Sequence, residues 1–333
     1  MRYLLTGASG FIGRRLAKHL TDRGHKVTAL VRKTSVRGDL EAMGVGFAVG
    51  DLNSGEGLEA AVEGVDCVLH LAGVTKALTH DEYHRCNADG TRRLAAAMSQ
   101  QKTPPRLVYC SSLAAAGPAT VDHPKREEDA PSPISIYGRS KLGGELAVRE
   151  FAERVPSVIV RPPIVYGPAD REFLPSVLPM ARFGVILKSG FGPKRYSIVH
   201  VDDLCEALIA ASERGQTVSP SDPAAGVYFV DDGREYSWEE MCQLIGQALG
   251  KRRTFVLPLP NVVSFAAGYG SELQAKLRGV VPIMNRDKAR ELTQEAWTCR
   301  SDRAQNELAY RPTLPLEKGL PATIAWYRQE GWL

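Results

Sequence analysis

Short, continuously apolar runs recur along the first half of the chain, separated by longer stretches of helical period. The runs fall at residues 3–5, 27–31, 45–49, 67–71, 107–110 and 158–160. Apart from Thr28 and His70, each is apolar at consecutive positions rather than alternate ones, which predicts strands covered by helices on both faces. After the first run the spacing predicts a helix from about Phe11 to Arg23, with Gly24 where a C-cap glycine belongs. Strand–helix alternation of this kind places the chain in the α/β class, with a parallel, doubly wound sheet.

The second half reads differently. Residues 162–200 are rich in Pro and Gly, including Pro162-Pro163, Gly167-Pro168 and Gly192-Pro193. A helix is expected from Asp202 to about Ala211, then a strand over 227–230. Ser237-Trp238-Glu239-Glu240 has the form of a capping box and opens a helix toward Leu249, with Gly250 behind it. No internal repeat or low-complexity tract is present.

Composition narrows the class of partner. The formal net charge is only +4 over 333 residues, with the basic side chains scattered, so no nucleic-acid partner is expected. No uninterrupted apolar run approaches bilayer length, so no membrane partner is expected either. The N-terminus enters a strand at once, which leaves no room for a signal peptide. Six cysteines lie far apart with no C-x-x-C pair, as expected of reduced thiols in a cytoplasmic protein. No His/Cys/Asp/Glu grouping has metal-site spacing, so no metal is expected.

Thr6-Gly7-Ala8-Ser9-Gly10-Phe11-Ile12-Gly13 joins the first strand to the first helix. Glycines at Gly7, Gly10 and Gly13 permit a tight turn and close approach of backbone to a pyrophosphate, which the free N–H groups of the helix start would hold. The spacing is G-x-x-G-x-x-G rather than G-x-G-x-x-G, and its position between strand and helix supports the dinucleotide reading over a ligand-free turn. At the end of the second strand stand Arg32 and Lys33, with no carboxylate before Asp39. A guanidinium can pair with a 2′-phosphate that a carboxylate would repel, so NADP(H) is favoured and NAD(H) stays open, as does a merely solvated loop. Asp51, followed by Leu52, is placed to accept from an adenine amino group, or else to close a turn.

Tyr137-Gly138-Arg139-Ser140-Lys141 sets a phenol and an ammonium on one helix face. A nearby cation lowers a phenol's pKa from its usual value near 10, which makes Tyr137 a usable acid or base. Alone the pair is no more than a helix-surface contact; other motifs decide its reading. Thr6–Gly13, Gly50-Asp51-Leu52, His70-Leu71-Ala72-Gly73, Asn87-Ala88-Asp89-Gly90-Thr91, Cys110-Ser111-Ser112, Tyr137–Lys141, Arg161-Pro162-Pro163-Ile164-Val165-Tyr166-Gly167-Pro168 and His200-Val201-Asp202-Asp203 occur in the order seen in the extended short-chain dehydrogenase/reductases. Together they resemble that family over about two-thirds of the chain, and the ending Trp326-Tyr327-Arg328-Gln329-Glu330-Gly331-Trp332-Leu333 is similar to it as well.

The resemblance implies a Rossmann sheet with a smaller, mostly helical C-terminal substrate lobe. Residues 1–168, with returning segments at about 196–233, would bind NAD(P); about 169–195 and 234–333 would bind substrate. It implies Tyr137 as acid/base and Lys141 as the residue that tunes it and holds the nicotinamide ribose. Ser112, rather than Ser111, would polarise the substrate carbonyl. Leu71, Ala72 and Gly73 would lie along the cofactor, with Pro162 and Val165 near the nicotinamide. Asn87 would be structural or a relay, and His70 a packing residue at a strand end. Family members often dimerise, so a homodimer is left open.

For substrate, two residues pull apart. The family's sugar enzymes usually carry an Asn where Ile164 stands, which argues against a nucleotide sugar. Arg195, before the His200 run, matches a position where those enzymes grip a phosphate, or is a solvated loop residue. The expectation is reduction of a ketone or aldehyde on a bulky apolar small molecule. A nucleotide-sugar epimerase/dehydratase and a non-catalytic dinucleotide-binding scaffold are the alternatives, the latter weakened because Ser112, Tyr137 and Lys141 are all present.

Overall fold

The computed structural model describes all residues except Val36, Leu78 and residues 279–283. Its strands, in chain order, are β1 (Arg2–Thr6), β2 (Lys26–Val31), β3 (Gly46–Val49), β4 (Cys67–His70), β5 (Arg106–Cys110), β6 (Ser157–Arg161), β7 (Ile164–Tyr166), β8 (Val185–Ser189), β9 (Arg195–Tyr196), β10 (Ile198–His200), β11 (Val227–Phe229), β12 (Tyr236–Ser237), β13 (Phe255–Leu259) and β14 (Ala296–Trp297). Seven form the central sheet in the order β11-β6-β5-β4-β1-β2-β3, with every neighbour parallel. The order reverses between β1 and β4, which opens a crevice at the carboxyl ends of those strands.

The unbroken apolar runs follow from this geometry. Along β1, Tyr3 and Leu5 enter the core on one face of the sheet while Leu4 enters the core on the other. Along β4, Cys67 and Leu69 face one core and Val68 the other, and β5 divides in the same way. A strand buried on both faces has no polar positions to spare, and truncating Leu4 or Leu5 to alanine would cost roughly 2–5 kcal/mol.

The predicted helices are present. Phe11–Asp22 ends before Gly24, whose φ is +75°. The helix expected from Asp202 runs Val201–Arg214 and is capped by the His200 ring, whose Nδ1 accepts from the Asp202 N–H at 3.2 Å. Ser237 caps Trp238–Ala248 by accepting from the Glu240 N–H at 3.0 Å. The capping box is only half formed, because the Glu240 carboxylate pairs with Arg234 at 2.9 Å instead of reaching back.

Residues 162–200 hold more structure than their Pro and Gly content suggested: β7 to β10 and the helix Leu174–Ala181. These strands are two to five residues long, too short to show a period. Beyond the central sheet, β10 pairs with β7, β9 lies between β12 and β14, and β13 pairs with β8. Helices Leu174–Ala181, Trp238–Ala248 and Leu316–Gln329 gather around a third core that includes Tyr166, Ile198 and Ile245. Among the described residues no helix is long and apolar enough to cross a membrane.

Candidate active site

The crevice begins at the loop after β1. Gly7 has φ +72°, and a Cβ there would lie 2.7 Å from the Ala72 nitrogen, so only glycine fits between this loop and the end of β4. The Gly10 N–H closes the turn on the Gly7 carbonyl at 3.0 Å. No side chain caps the helix start, and the N–H groups of Phe11, Ile12 and Gly13 have no partner among the described residues. Three unpaired donors at the positive end of a helix dipole suit a pyrophosphate. Buried His70 fixes the neighbouring strand ends by bonding Thr6 Oγ1 at 2.6 Å and Thr91 Oγ1 at 2.9 Å; the Ala72 N–H also donates to Thr6 Oγ1. Burial pushes the His70 pKa down to about 3, so the ring is a neutral clamp.

At the end of β2 the Arg32 backbone N–H donates to Ser35 Oγ at 3.0 Å, while its exposed guanidinium has no partner among the described residues. Lys33 is drawn to Glu56 at 3.2 Å. Asp51 closes a turn, with Oδ1 accepting from the Asn53 N–H at 2.7 Å. Leu52 packs half-buried on the sheet core.

Tyr137 and Lys141 lie on the helix Ile136–Glu150, whose N-cap Ser135 accepts from the Gly138 N–H at 3.0 Å. This helix sits unusually deep. A Cβ on Gly138 would lie 2.3 Å from the Ala114 carbonyl oxygen, and one on Gly144 would lie 2.2 Å from the Tyr109 hydroxyl. The close approach brings Tyr137 to the chain leaving β5, where Ser112 is near enough to its hydroxyl to hold its pKa down against burial. Ser112 Oγ also accepts from the Ala114 N–H at 3.1 Å. Ser111 is committed elsewhere: its hydroxyl donates to Glu145 at 2.5 Å, and Glu145 forms a buried pair with Arg161 at 2.6 Å.

The electrostatics depart from the expectation that Lys141 tunes the phenol. Burial pushes the Tyr137 pKa up, and the leading opposing influence is the nearby Ser112 hydroxyl. The Lys141 ammonium points to β5, donating to the Cys110 carbonyl at 2.7 Å and lying 4.4 Å from the Tyr109 ring centroid. Burial pushes its own pKa down to about 8.

Asn87 joins the two halves of the crevice. It lies on a π-helical turn, Arg85–Asp89, a form often found at functional sites. Its side chain accepts from the Val74 N–H at 2.8 Å and donates to the Val74 carbonyl at 3.0 Å and to Ser140 Oγ at 2.9 Å. Ser140 in turn donates to the Tyr137 carbonyl at 2.7 Å. A Cβ on Gly73 would lie 2.9 Å from Asn87 Oδ1 and 3.9 Å from Lys141 Nζ. Leu71, Ala72 and Gly73 therefore lead from the glycine loop to the lysine.

On the far wall, the Leu113 N–H donates to the Pro162 carbonyl at 2.8 Å. Val165 packs on the sheet core and Ile164 on the third core, both half-buried. Arg195 sits half-buried in β9 with no ion pair among the described residues, whereas neighbouring Lys194 is tied to the Leu292 and Gln294 carbonyls at 2.9 and 2.6 Å. Three further residues at the crevice carried no motif and were missed from sequence. Asp287, on the helix Arg286–Thr293, accepts from the Ile136 N–H at 2.5 Å. Glu172 bridges Thr75 at 3.2 Å and Lys76 at 3.0 Å. The Tyr83 ring stands 6.5 Å from that of Tyr137.

Residues 3–223 match the NAD dependent epimerase/dehydratase family. A ceramide reductase of Caulobacter vibrioides is 31% identical over 332 residues, covering 99% of this chain and 95% of the relative. A 2-alkyl-3-oxoalkanoate reductase of Stenotrophomonas maltophilia is 29% identical over 338 residues, covering 96% and 97%. The solved structure of MoeE5 in complex with UDP-glucose and NAD superposes with a TM-score of 0.72 at 26% identity, covering 99% of each chain.

Proposed function

This chain belongs to the NAD dependent epimerase/dehydratase family, in the extended short-chain dehydrogenase/reductase group, and from that premise we propose that it reduces a ketone or aldehyde on a bulky apolar substrate. The observation that carries the reading is the Tyr137–Ser112 pair. A phenol with its ordinary pKa near 10 is protonated at neutral pH and can donate, although burial raises that pKa and so opposes release of the proton. Ser112 orients the substrate carbonyl oxygen, and Tyr137 passes its proton to that oxygen as the carbonyl becomes an alcohol. When bound, the reduced dinucleotide supplies the hydride. Lys141, beside Gly73, would hold the nicotinamide ribose, and Phe11, Ile12 and Gly13 the pyrophosphate. The free guanidinium of Arg32 favours NADPH over NADH.

Half-buried Ile164 supports an apolar substrate, as do two relatives named as reductases of ceramide and of 2-alkyl-3-oxoalkanoates. The test is consumption of NADPH and NADH with long-chain ketones, aldehydes and nucleotide sugars. Turnover of the ketones is expected, and turnover of nucleotide sugars alone would reject the reading. A second reading, a nucleotide-sugar epimerase or dehydratase, rests on the unpaired, half-buried Arg195 and on the likeness to a protein that binds UDP-glucose and NAD.

A further inference from the structure

Eleven of the sixteen large apolar side chains exposed among the described residues lie at 183–191 or 255–277. Nine of them lie on the β8–β13 pair or on the helix that follows β13. In the parallel pair of β8 and β13, Val185 stands opposite Phe255 and Leu187 opposite Leu257, with all four exposed on one face. The helix Asn261–Arg278 follows β13 directly and is tied to β8 by the Ser264 hydroxyl, which donates to Ser189 Oγ at 2.8 Å. Its only buried residues are Gly268 and Ala275. A Cβ on Gly268 would lie 3.0 Å from the Asn285 carbonyl oxygen, so this narrow seam packs at the start of the helix Arg286–Thr293. On the side away from the seam, Val262, Tyr269, Leu273 and Leu277 recur at helical spacing, and Leu277 is 81% exposed. An apolar stripe of this kind marks an interaction site.

The charge around this surface selects the partner. Residues 182–195 contain four basic and no acidic side chains, and residues 251–278 contain five basic and one acidic. Of the nine, Lys188 is paired with Glu239 at 2.6 Å and buried Lys194 is spent on backbone carbonyls, so the free positive charge comes mainly from residues 251–278. The one acid, Glu272, is paired with Arg286 at 2.8 Å. Lys251, Arg252, Arg253, Lys276 and Arg278 are exposed with no ion pair among the described residues.

We propose that this face docks on a lipid bilayer carrying anionic headgroups, with the apolar stripe in the interface and the cations against the phosphates. The expectation of no membrane partner rested on the absence of a spanning run, and a helix lying in the plane of the surface needs none. The purpose of docking rests on the proposed function, because an apolar carbonyl substrate would be drawn from the same bilayer. The docked helix lies one helix from the site: its seam meets Asn285, and Asp287 two residues on holds the Ile136 N–H beside Tyr137.

The test is flotation of the full chain with vesicles of phosphatidylglycerol and phosphatidylcholine, against phosphatidylcholine alone, with reduction of a water-soluble ketone assayed in parallel. Flotation with the anionic vesicles is expected to exceed that with the neutral ones at least tenfold. Leu273→Glu with Leu277→Glu should abolish it, and Lys251→Gln, Arg252→Gln and Arg253→Gln together should weaken it about tenfold. Absence of flotation, or flotation unchanged by both sets of substitutions, overturns the proposal. So does sedimentation showing a dimer that Leu273→Glu with Leu277→Glu dissociates in a protein that does not float, which would assign the face to a second copy. Ketone reduction without flotation rejects the docking alone; flotation without ketone reduction rejects the proposed reaction alone.

Discussion

The Lys141 ammonium donates to the carbonyl oxygen of Cys110 at 2.7 Å, which fixes a buried cation at the end of β5. Its pKa is pushed down to about 8 from an ordinary 10.5. Between those values the unfolded chain holds a proton that the folded chain has released, so stability rises with pH through that window. Relative to Lys141→Met, the native protein should gain roughly 3 kcal/mol from pH 7 to pH 10.5, at about 1.4 kcal/mol per unit. Urea denaturation at stepped pH measures this, and a constant difference between the two proteins would refute it.

Tyr137→Phe removes the transferable proton and leaves the glycine loop untouched. Turnover of the ketone substrate should fall about 10²–10⁴-fold with cofactor affinity nearly unchanged. Ser112→Ala should also lower turnover, whereas Lys141→Ala should damage turnover and cofactor binding together. Calorimetry and steady-state rates separate these outcomes; full turnover in Tyr137→Phe would make the tyrosine merely structural.

Arg32→Asp replaces the free guanidinium at the end of β2 with a carboxylate. The native protein should bind NADPH more tightly than NADH, and the substitution should invert that order by repelling a 2′-phosphate and accepting from a 2′-hydroxyl. Tighter binding of NADH by the native protein in a calorimetric titration would reject the preference.

Ile164 offers no amide to a nucleotide diphosphate, and a hydrogen-bond partner missing beside a charged group costs about 1–3 kcal/mol. UDP and dTDP should therefore bind weakly or not at all, and Arg195→Ala should barely change turnover of an apolar ketone. A low-micromolar dissociation constant for either nucleotide, about −8 kcal/mol of binding free energy, would favour the epimerase/dehydratase reading through Arg195.

The central sheet was legible because its inner strands β1, β4, β5 and β6 are apolar at successive positions, the pattern that burial on both faces enforces. The glycine loop and the Tyr137–Lys141 pair were legible because both act through residues close in sequence. The direction of the Lys141 ammonium was not, since it depends on the carbonyl of Cys110, thirty-one positions away. Asp287 and Glu172 were invisible for the same reason: each reaches the crevice from a distant segment and carries no local signature. Asp51 was read with two roles open, and the turn it closes uses one of its oxygens. The short strands β7 to β10 escaped because pairing partners, rather than periodicity, define them.

The two glycines that sink the Tyr137 helix limit how the protein can be engineered. Replacing a mid-helix glycine with alanine ordinarily gains up to about 1 kcal/mol and is a routine route to thermostability. Here each new methyl would collide with the Ala114 carbonyl or the Tyr109 hydroxyl, lifting the helix and carrying the phenol away from Ser112. A stabilisation campaign guided by helix propensity would select against the activity at Gly138 and Gly144, and the safer substitutions lie in helices that do not bear on the crevice.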